Sequence, residues 1–165
     1  MTVRFRPAVQ ADLPAIVALL HDDALGATRE HSELAPYEAA FAEIDADPNH
    51  LEVVGVIDDE VVACLQVTAL ACLTHGGRRR AQLEGVRVSA AHRGEGIGAA
   101  LVRWAVDWAR DQGCGVVQLT TDKARPDALR FYESLGFTAT HEGCKLPLDP
   151  VPAPAVPRRG EAPAG

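Results

Sequence analysis

Three kinds of residue in this chain could do chemistry. The first is a loop: "HRGEGIG", His92 to Gly98, sets glycines at alternate positions, Gly94, Gly96 and Gly98, between an apolar run and a long amphipathic stretch. A glycine-rich turn that opens a helix lets backbone N–H groups point outward together, and the helix N-terminus adds roughly half a positive charge, which suits a phosphate. The second is Glu84, alone in the otherwise mostly apolar "AQLEGVRV" and two residues before Val86. Strict alternation puts Glu84, Val86 and Val88 on one strand face. Such a carboxylate either takes a proton from a substrate or is a surface acid paired with one of Arg78 to Arg80. The third is a set of loop histidines, His75, His92 and His141, which are potential bases but stand in no motif.

Taken by itself, the glycine run also fits another phosphate pattern. Gly94-Glu95-Gly96-Ile97-Gly98-Ala99 satisfies the dinucleotide fingerprint G-x-G-x-x-A, and Asp122 ends the following strand as an acid should. Against this, five residues, Ser89 to Arg93, separate strand from glycines, and that strand closes an antiparallel meander. A P-loop is excluded because no Gly-Lys-Ser/Thr follows. Standing alone, the glycines would merely permit a tight turn and close helix packing.

The elements that must position these residues follow from hydrophobic period. Residues 2 to 6 alternate as a short strand ended by Pro7, and Leu13, Ile16, Val17 and Leu20 recur at helical spacing. Residues 26 to 36 read as loop; Tyr37, Phe41 and Ile44 then give a second helix that stops before Pro48. Runs 51–57, 61–73 and 81–88 are strands joined by "DDE" and "THGGRRR", a meander. From Ile97 to Trp108 the i, i+3, i+4 series marks a buried helix face, with Gly113 as its stop. "GVVQLTT" is a strand, "PDALRFYESLG" a short helix, and "FTATHEGCKLPL" one final strand or two.

Composition narrows the class. A chain of 165 residues, 47% hydrophobic and 24% charged, suits one domain with a full core, expected over 1–148. Six prolines from Pro147 onward make 149–165 a Pro/Ala-rich disordered tail. A net charge of −7 and a pI near 5.3 argue against a nucleic-acid surface. No apolar run reaches the ~20 residues of a membrane span. Cys64, Cys72, Cys114 and Cys144 form no C-x-x-C pair and read as buried thiols in a reducing compartment, so a cytoplasmic protein without metal is expected.

"VRVSAAHRGEGIGAALVRWA" resembles the acyl-CoA-binding motif of the GNAT acetyltransferase superfamily, R/Q-x-x-G-x-G/A, through Arg93, Gly96 and Gly98. Some thirty residues on, "DALRFYESLGF" resembles the family's A-x-x-x-Y-x-x-x-G-F signature, through Ala128, Tyr132, Gly136 and Phe137. The element order β-α-α-β-β-β-α-β-α-β is also similar, over residues 1 to about 148. The resemblance implies an α/β fold of the α+β type, a single domain with a mixed, mostly antiparallel twisted sheet flanked by helices. Where the family often places Asn three residues before the alanine, this chain has Arg125, which is not counted as a site residue.

The chemistry the resemblance implies is acetyl transfer from acetyl-CoA, a co-substrate, to a primary amine by direct attack in a ternary complex. The backbone from Arg93 through Gly94, Gly96 and Gly98 to Ala99 would hold the CoA pyrophosphate, and the main chain of Val86 and Val88 would pair with the pantetheine arm. Tyr132 corresponds to the tyrosine that protonates the leaving sulfur; as plain sequence, a Phe-Tyr pair is also ordinary packing, with Phe131 as the core member and Tyr132 turned another way. Residues 21–60 carry twelve acids, among them Asp22, Asp23, Glu30, Glu33, Glu43 and Asp47, against one base, Arg29. Facing the cleft, they would favour a small cationic amine; otherwise they are a solvated helix face. The alternative is a non-catalytic acyl-CoA sensor, and a third reading is a nicotinamide-dependent oxidoreductase. No nucleic-acid or membrane partner is expected; many members of the family are homodimers.

Overall fold

The computed structural model describes residues 2–22 and 33–148. The predicted tail at 149–165 and residues 23–32 of the first inter-helix segment lie outside the described residues. The chain runs β1 (Arg4–Pro7), α1 (Leu13–His21), α2 (Ala35–Ala46), β2 (His50–Ile57), β3 (Glu60–Leu70), a single turn α3 (Thr74–Gly77), β4 (Arg79–Val88), α4 (Ile97–Asp111), β5 (Cys114–Leu119) and α5 (Pro126–Ser134). The five strands form one sheet in sequence order, antiparallel from β1 to β4 and parallel between β4 and β5. At the β2–β3 hairpin Asp58 and Asp59 both take positive φ, the twist-matched turn that joins adjacent antiparallel strands.

Alternation along the strands sorts the core into two layers. Val53, Ile57, Leu65, Val67, Ala81 and Leu83 face α4, whose Ile97, Leu101, Val102, Ala105 and Ala109 form the stripe read from the sequence. On the other face, Val54, Val56 and Cys64 meet Ile16 and Leu19 of α1. Helix α2 has no buried residue; Tyr37, Phe41 and Ile44 are only half-buried.

The expected final strand is absent: residues 138–148 pair with no strand and are exposed throughout. Between Phe137 and Leu146 the segment has no bulky apolar side chain, so it buries nothing that would offset ordering a ladder. Lys123 and Glu142 pair at 2.6 Å, holding the segment near the end of β5 without joining it. The thiols also depart from expectation: Cys64 is buried, Cys72 and Cys114 are half-exposed and Cys144 is exposed. No helix among the described residues is long and apolar enough to cross a membrane.

The entry to α1 is set by one carboxylate. Asp12 accepts two bonds from Arg6, 2.7 Å and 2.9 Å, and a third from the Val9 N–H at 2.8 Å. The Arg6 guanidinium holds its carboxyl below the usual range, with the Val9 N–H adding to the effect. This contribution is present above the ordinary carboxylate pKa and is lost as pH falls through the lowered folded value. Asp12→Asn should cost about 1–3 kcal/mol at pH 7 by denaturant unfolding. The gap from the parent protein should close as pH is lowered toward 2; a constant gap would show that the charge contributes nothing.

Candidate active site

After Val88 the chain makes a 3-10 turn, Ala90–His92, then passes through Arg93 into α4. Gly94 and Gly96 take φ of 85° and 81°, and a Cβ built on either would meet no atom within 4 Å. Glycine is therefore required there by the left-handed backbone, and the space before it is open. Gly96 caps α4, whose first N–H groups have no intrahelical acceptor and carry the positive end of the helix dipole. Gly98 differs: its Cβ would stand 3.4 Å from Phe131 and 3.5 Å from Val88, ordinary contact distances, so this position of α4 faces α5 and β4 without the backbone demanding glycine. Ala99 follows in the first turn, half-buried. Because β4 pairs in parallel with β5, the loop does open a βαβ unit, and the antiparallel meander alone does not separate it from a dinucleotide site. The interposed 3-10 turn and the parting of the two strands do.

That parting begins at Leu83 and Leu119, the last β4–β5 pair. Two residues on, β4 is bulged: Gln66 faces Glu84 while Cys64 faces Arg87, which leaves one extra residue in β4, and Gly85 has φ of 60°. The bulge inverts the side-chain alternation. Val86 and Val88 pack beside the α4 cluster with Leu83, whereas Glu84 and Arg87 share the α1 side with Gln66 and Cys64. The expectation that Glu84, Val86 and Val88 share a face is thus wrong, because Gly85 adds a residue between them. Nor is Glu84 tied to the arginine run among the described residues. Arg79 bonds Asn49 and Ala69, and Arg80 bonds Cys72, Thr74 and Gln118. Glu84 is exposed, on the α1 side of β4 just beyond its last pair with β5.

Across the gap, α5 carries Tyr132. Its C-terminus closes with Gly136 at φ 92°, with bonds from Gly136 N–H to Glu133 (3.0 Å) and from Phe137 N–H to Tyr132 (3.1 Å). This is the Schellman arrangement, which favours an apolar contact between the residues in the Tyr132 and Phe137 positions. The two rings meet edge-on at 5.8 Å. The Y-x-x-x-G-F spacing therefore has a local cause: it locks the tyrosine to its own helix end. Phe131 lies toward Gly98 and also meets Tyr132 edge-on at 5.1 Å, so the neighbouring rings touch instead of diverging, and both border the α4 core. Burial raises the Tyr132 pKa, and the positive charges of Arg125 and Arg87 pull it part of the way back. The phenol is protonated at neutral pH and can donate.

Of the loop histidines, His92 contacts Glu95 at 3.1 Å within the glycine loop, His75 sits in the turn between β3 and β4, and His141 contacts Thr140. Of the acids named from the sequence, Asp47 bonds Asn49, Glu33 and Glu43 are exposed, and Asp22 reaches the loop. Asp23 and Glu30 lie outside the described residues. Two residues missed in the sequence matter here. Arg87 donates to the Val86 carbonyl at 2.9 Å and bears on Tyr132. Glu52 faces Gln66, which faces Glu84, so the three form a row across the sheet. Glu52 also borders a ≈ 220 Å³ cavity with Phe41, Ile44, His50 and Trp108, and burial pushes its carboxyl up to about 8. A lone acid in "LEVVGVI" was the signal available. Among the described residues no group of three or more His, Cys, Asp or Glu could hold a metal.

A mixed sheet whose parallel pair parts beside a glycine loop defines an acetyltransferase fold, and comparison with known proteins agrees. The profile described as "Acetyltransferase (GNAT) family" matches residues 15–137, and the chain belongs to that family. A solved structure described as a transcriptional regulator from Bacillus halodurans C-125 is 49% identical, with a TM-score of 0.86, covering 89% of this chain and all of that one. An acetyltransferase from Trypanosoma brucei is 26% identical, with a TM-score of 0.74, over 89% of this chain and all of its own. N-acetyltransferase 8 of Rattus norvegicus is 46% identical over 66 residues, which are 40% of this chain and 30% of that protein. The match thus spans less than a third of that curated relative.

Glu52 offers a test of the row at its sheltered end. A carboxyl raised from 4.5 to about 8 binds its proton more tightly when folded, so stability falls as pH rises between those values. Each unit is worth about 1.4 kcal/mol, and even half the shift amounts to several degrees in melting temperature. Glu52→Gln should flatten the decline in thermal midpoint between pH 5 and pH 9. An equal decline in both proteins would show that Glu52 is not buried uncharged.

Proposed function

We propose that the protein is an N-acetyltransferase that moves the acetyl group of acetyl-CoA to a primary amine of a small cationic molecule. The observation that carries this reading is the separation of β4 from β5 beyond Leu83 and Leu119, which leaves the β4 backbone open between the glycine loop and Tyr132. In this reading the N–H groups from Gly94 to Ala99 hold the pyrophosphate, and the main chain of Val86 and Val88 pairs with the pantetheine arm as an added strand would. Glu84 takes the proton of the incoming ammonium, directly or through a water. The amine nitrogen attacks the thioester carbon, the C–S bond breaks, Tyr132 gives its proton to the departing sulfur, and the second proton shed by the nitrogen as the amide forms restores the phenol through water. Attack is direct, without an acyl-enzyme. The exposed acids Glu33 and Glu43, near an otherwise base-poor segment, support a cationic acceptor.

A second reading, an acyl-CoA-binding domain that does no chemistry, is supported by the regulator description of the Bacillus halodurans structure. The acidic composition weighs against direct contact with DNA in that role. Thiol release from acetyl-CoA across a panel of mono- and polyamines separates the two: amine-dependent release is expected, and protection of thermal stability by CoA without any release would favour the sensor. Tyr132→Phe should lower kcat about a hundredfold or more. Its KM for acetyl-CoA should stay near the parent value, and full activity would remove Tyr132 from the mechanism. Gly96→Glu places a carboxylate on a strained left-handed position in front of the loop, and calorimetry should then detect no acetyl-CoA binding. Parent-like affinity would overturn the loop assignment.

A further inference from the structure

Asp22, at the C-terminal end of α1, is joined to the glycine loop by contacts that no motif foretells. Its Oδ2 accepts from the Ala90 N–H at 3.1 Å and from Arg93 Nη2 at 3.2 Å. The same Nη2 donates to the Asp22 main-chain carbonyl at 3.0 Å, and Arg93 Nε leans on the Val88 carbonyl at 3.4 Å. The guanidinium of the motif arginine is thereby turned back toward α1 and away from the first turn of α4. Its three acceptors come from two elements that the sequence sets some seventy residues apart.

An exposed ion pair is worth little by its charges alone. Here the carboxylate does more: it satisfies the Ala90 N–H at the start of the 3-10 turn, and with Arg93 it holds both flanks of the segment that leads into Gly94 and Gly96. An acid beside an anion site would repel its ligand unless its charge were matched, and Arg93 matches it at hydrogen-bond distance.

We infer that Asp22 is a positioning residue for acyl-CoA, bracing Arg93 and Ala90 so that the loop N–H groups are preorganised, and that Arg93 acts through this brace rather than as a phosphate ligand. The inference rests on the reading of the loop as the acyl-CoA site. It ties the cofactor loop to the helix that leads into the acid-rich acceptor segment, so a change at Asp22 is felt first in cofactor affinity.

The test is acetyl-CoA titration calorimetry with steady-state kinetics on the full chain, using Asp22→Ala, Asp22→Asn, Arg93→Gln and the double variant Asp22→Ala/Arg93→Gln. Asp22→Ala should raise the acetyl-CoA Kd and KM about tenfold, as expected for loss of charge-assisted bonds, with a far smaller effect on kcat. Asp22→Asn keeps an acceptor for Ala90 and should fall between. The double variant should bind no worse than the weaker single variant, since both remove one brace. Tighter binding by Asp22→Ala would show competition with the pyrophosphate and overturn the inference. Additive losses in the double variant would make Arg93 an independent phosphate ligand and overturn it as well. If the parent protein itself fails to bind acetyl-CoA, the loop reading falls and this inference with it; if the parent binds and Asp22→Ala binds equally well, only the role of Asp22 falls.

Discussion

A strand cannot keep its ladder to a parallel neighbour and also open its backbone to a ligand, and β4 resolves this within ten residues. Up to Leu83 it pairs with β5 and holds Ala81 and Leu83 against α4. One residue after Glu84, the Gly85 bulge adds twist and a half-period, the two strands part, and Val86 and Val88 recover the α4 face while Arg87 keeps the other. The glycine loop lies just beyond the end of β4, Glu84 stands at the edge of the departure, and α5 with Tyr132 follows β5 on its other side. Without the bulge, Val86 and Val88 would face α1, and the N-terminal end of α4 would lose the Val88 side chain that lies beside Gly98.

Helix termini do the rest of the positioning, and both important ones use a residue that only glycine fills comfortably. Gly96 at the start of α4 exposes unpaired N–H groups, and Gly136 at the end of α5 folds Phe137 back onto Tyr132. In each case a positive φ costs an ordinary side chain of the order of 1 kcal/mol or more, so the sequence marks the site through backbone need before any side-chain chemistry. Tyr132 is sheltered among Phe131 and Phe137, and burial raises its pKa further above the ordinary tyrosine value while Arg125 and Arg87 pull it part of the way back.

The α1 side of the sheet is the less economical one. It carries Glu52, Gln66, Glu84 and Arg87 where the α4 side is wholly apolar, and helix α2 covers it with half-buried residues. Polar groups on a covered face cost stability unless paired. The polar row runs from Glu52 on β2 through Gln66 on β3 to Glu84 on β4, and His50 with Thr68, 3.1 Å apart, lies beside it as the start of another.

What the sequence determined by itself was local. The period of α4, the hairpins of the meander, the glycines at positive φ and the Tyr132–Phe137 spacing are each decided within a few residues by sterics and hydrogen bonding, so they could be read directly. What failed in reading depended on partners far along the chain. Glu84 lost its shared face with Val86 because a bulge is defined only against β3. Residues 138–148 stayed out of the sheet because pairing needs apolar surface to bury, and they have no bulky apolar side chain before Leu146. Glu52 entered the row, and Asp22 reached Arg93, because the fold brought strands and helix ends together across 32 and 71 positions. Tertiary structure alone decided those contacts, since a side chain's direction and its charge partner are properties of the packed sheet and not of the neighbouring residues.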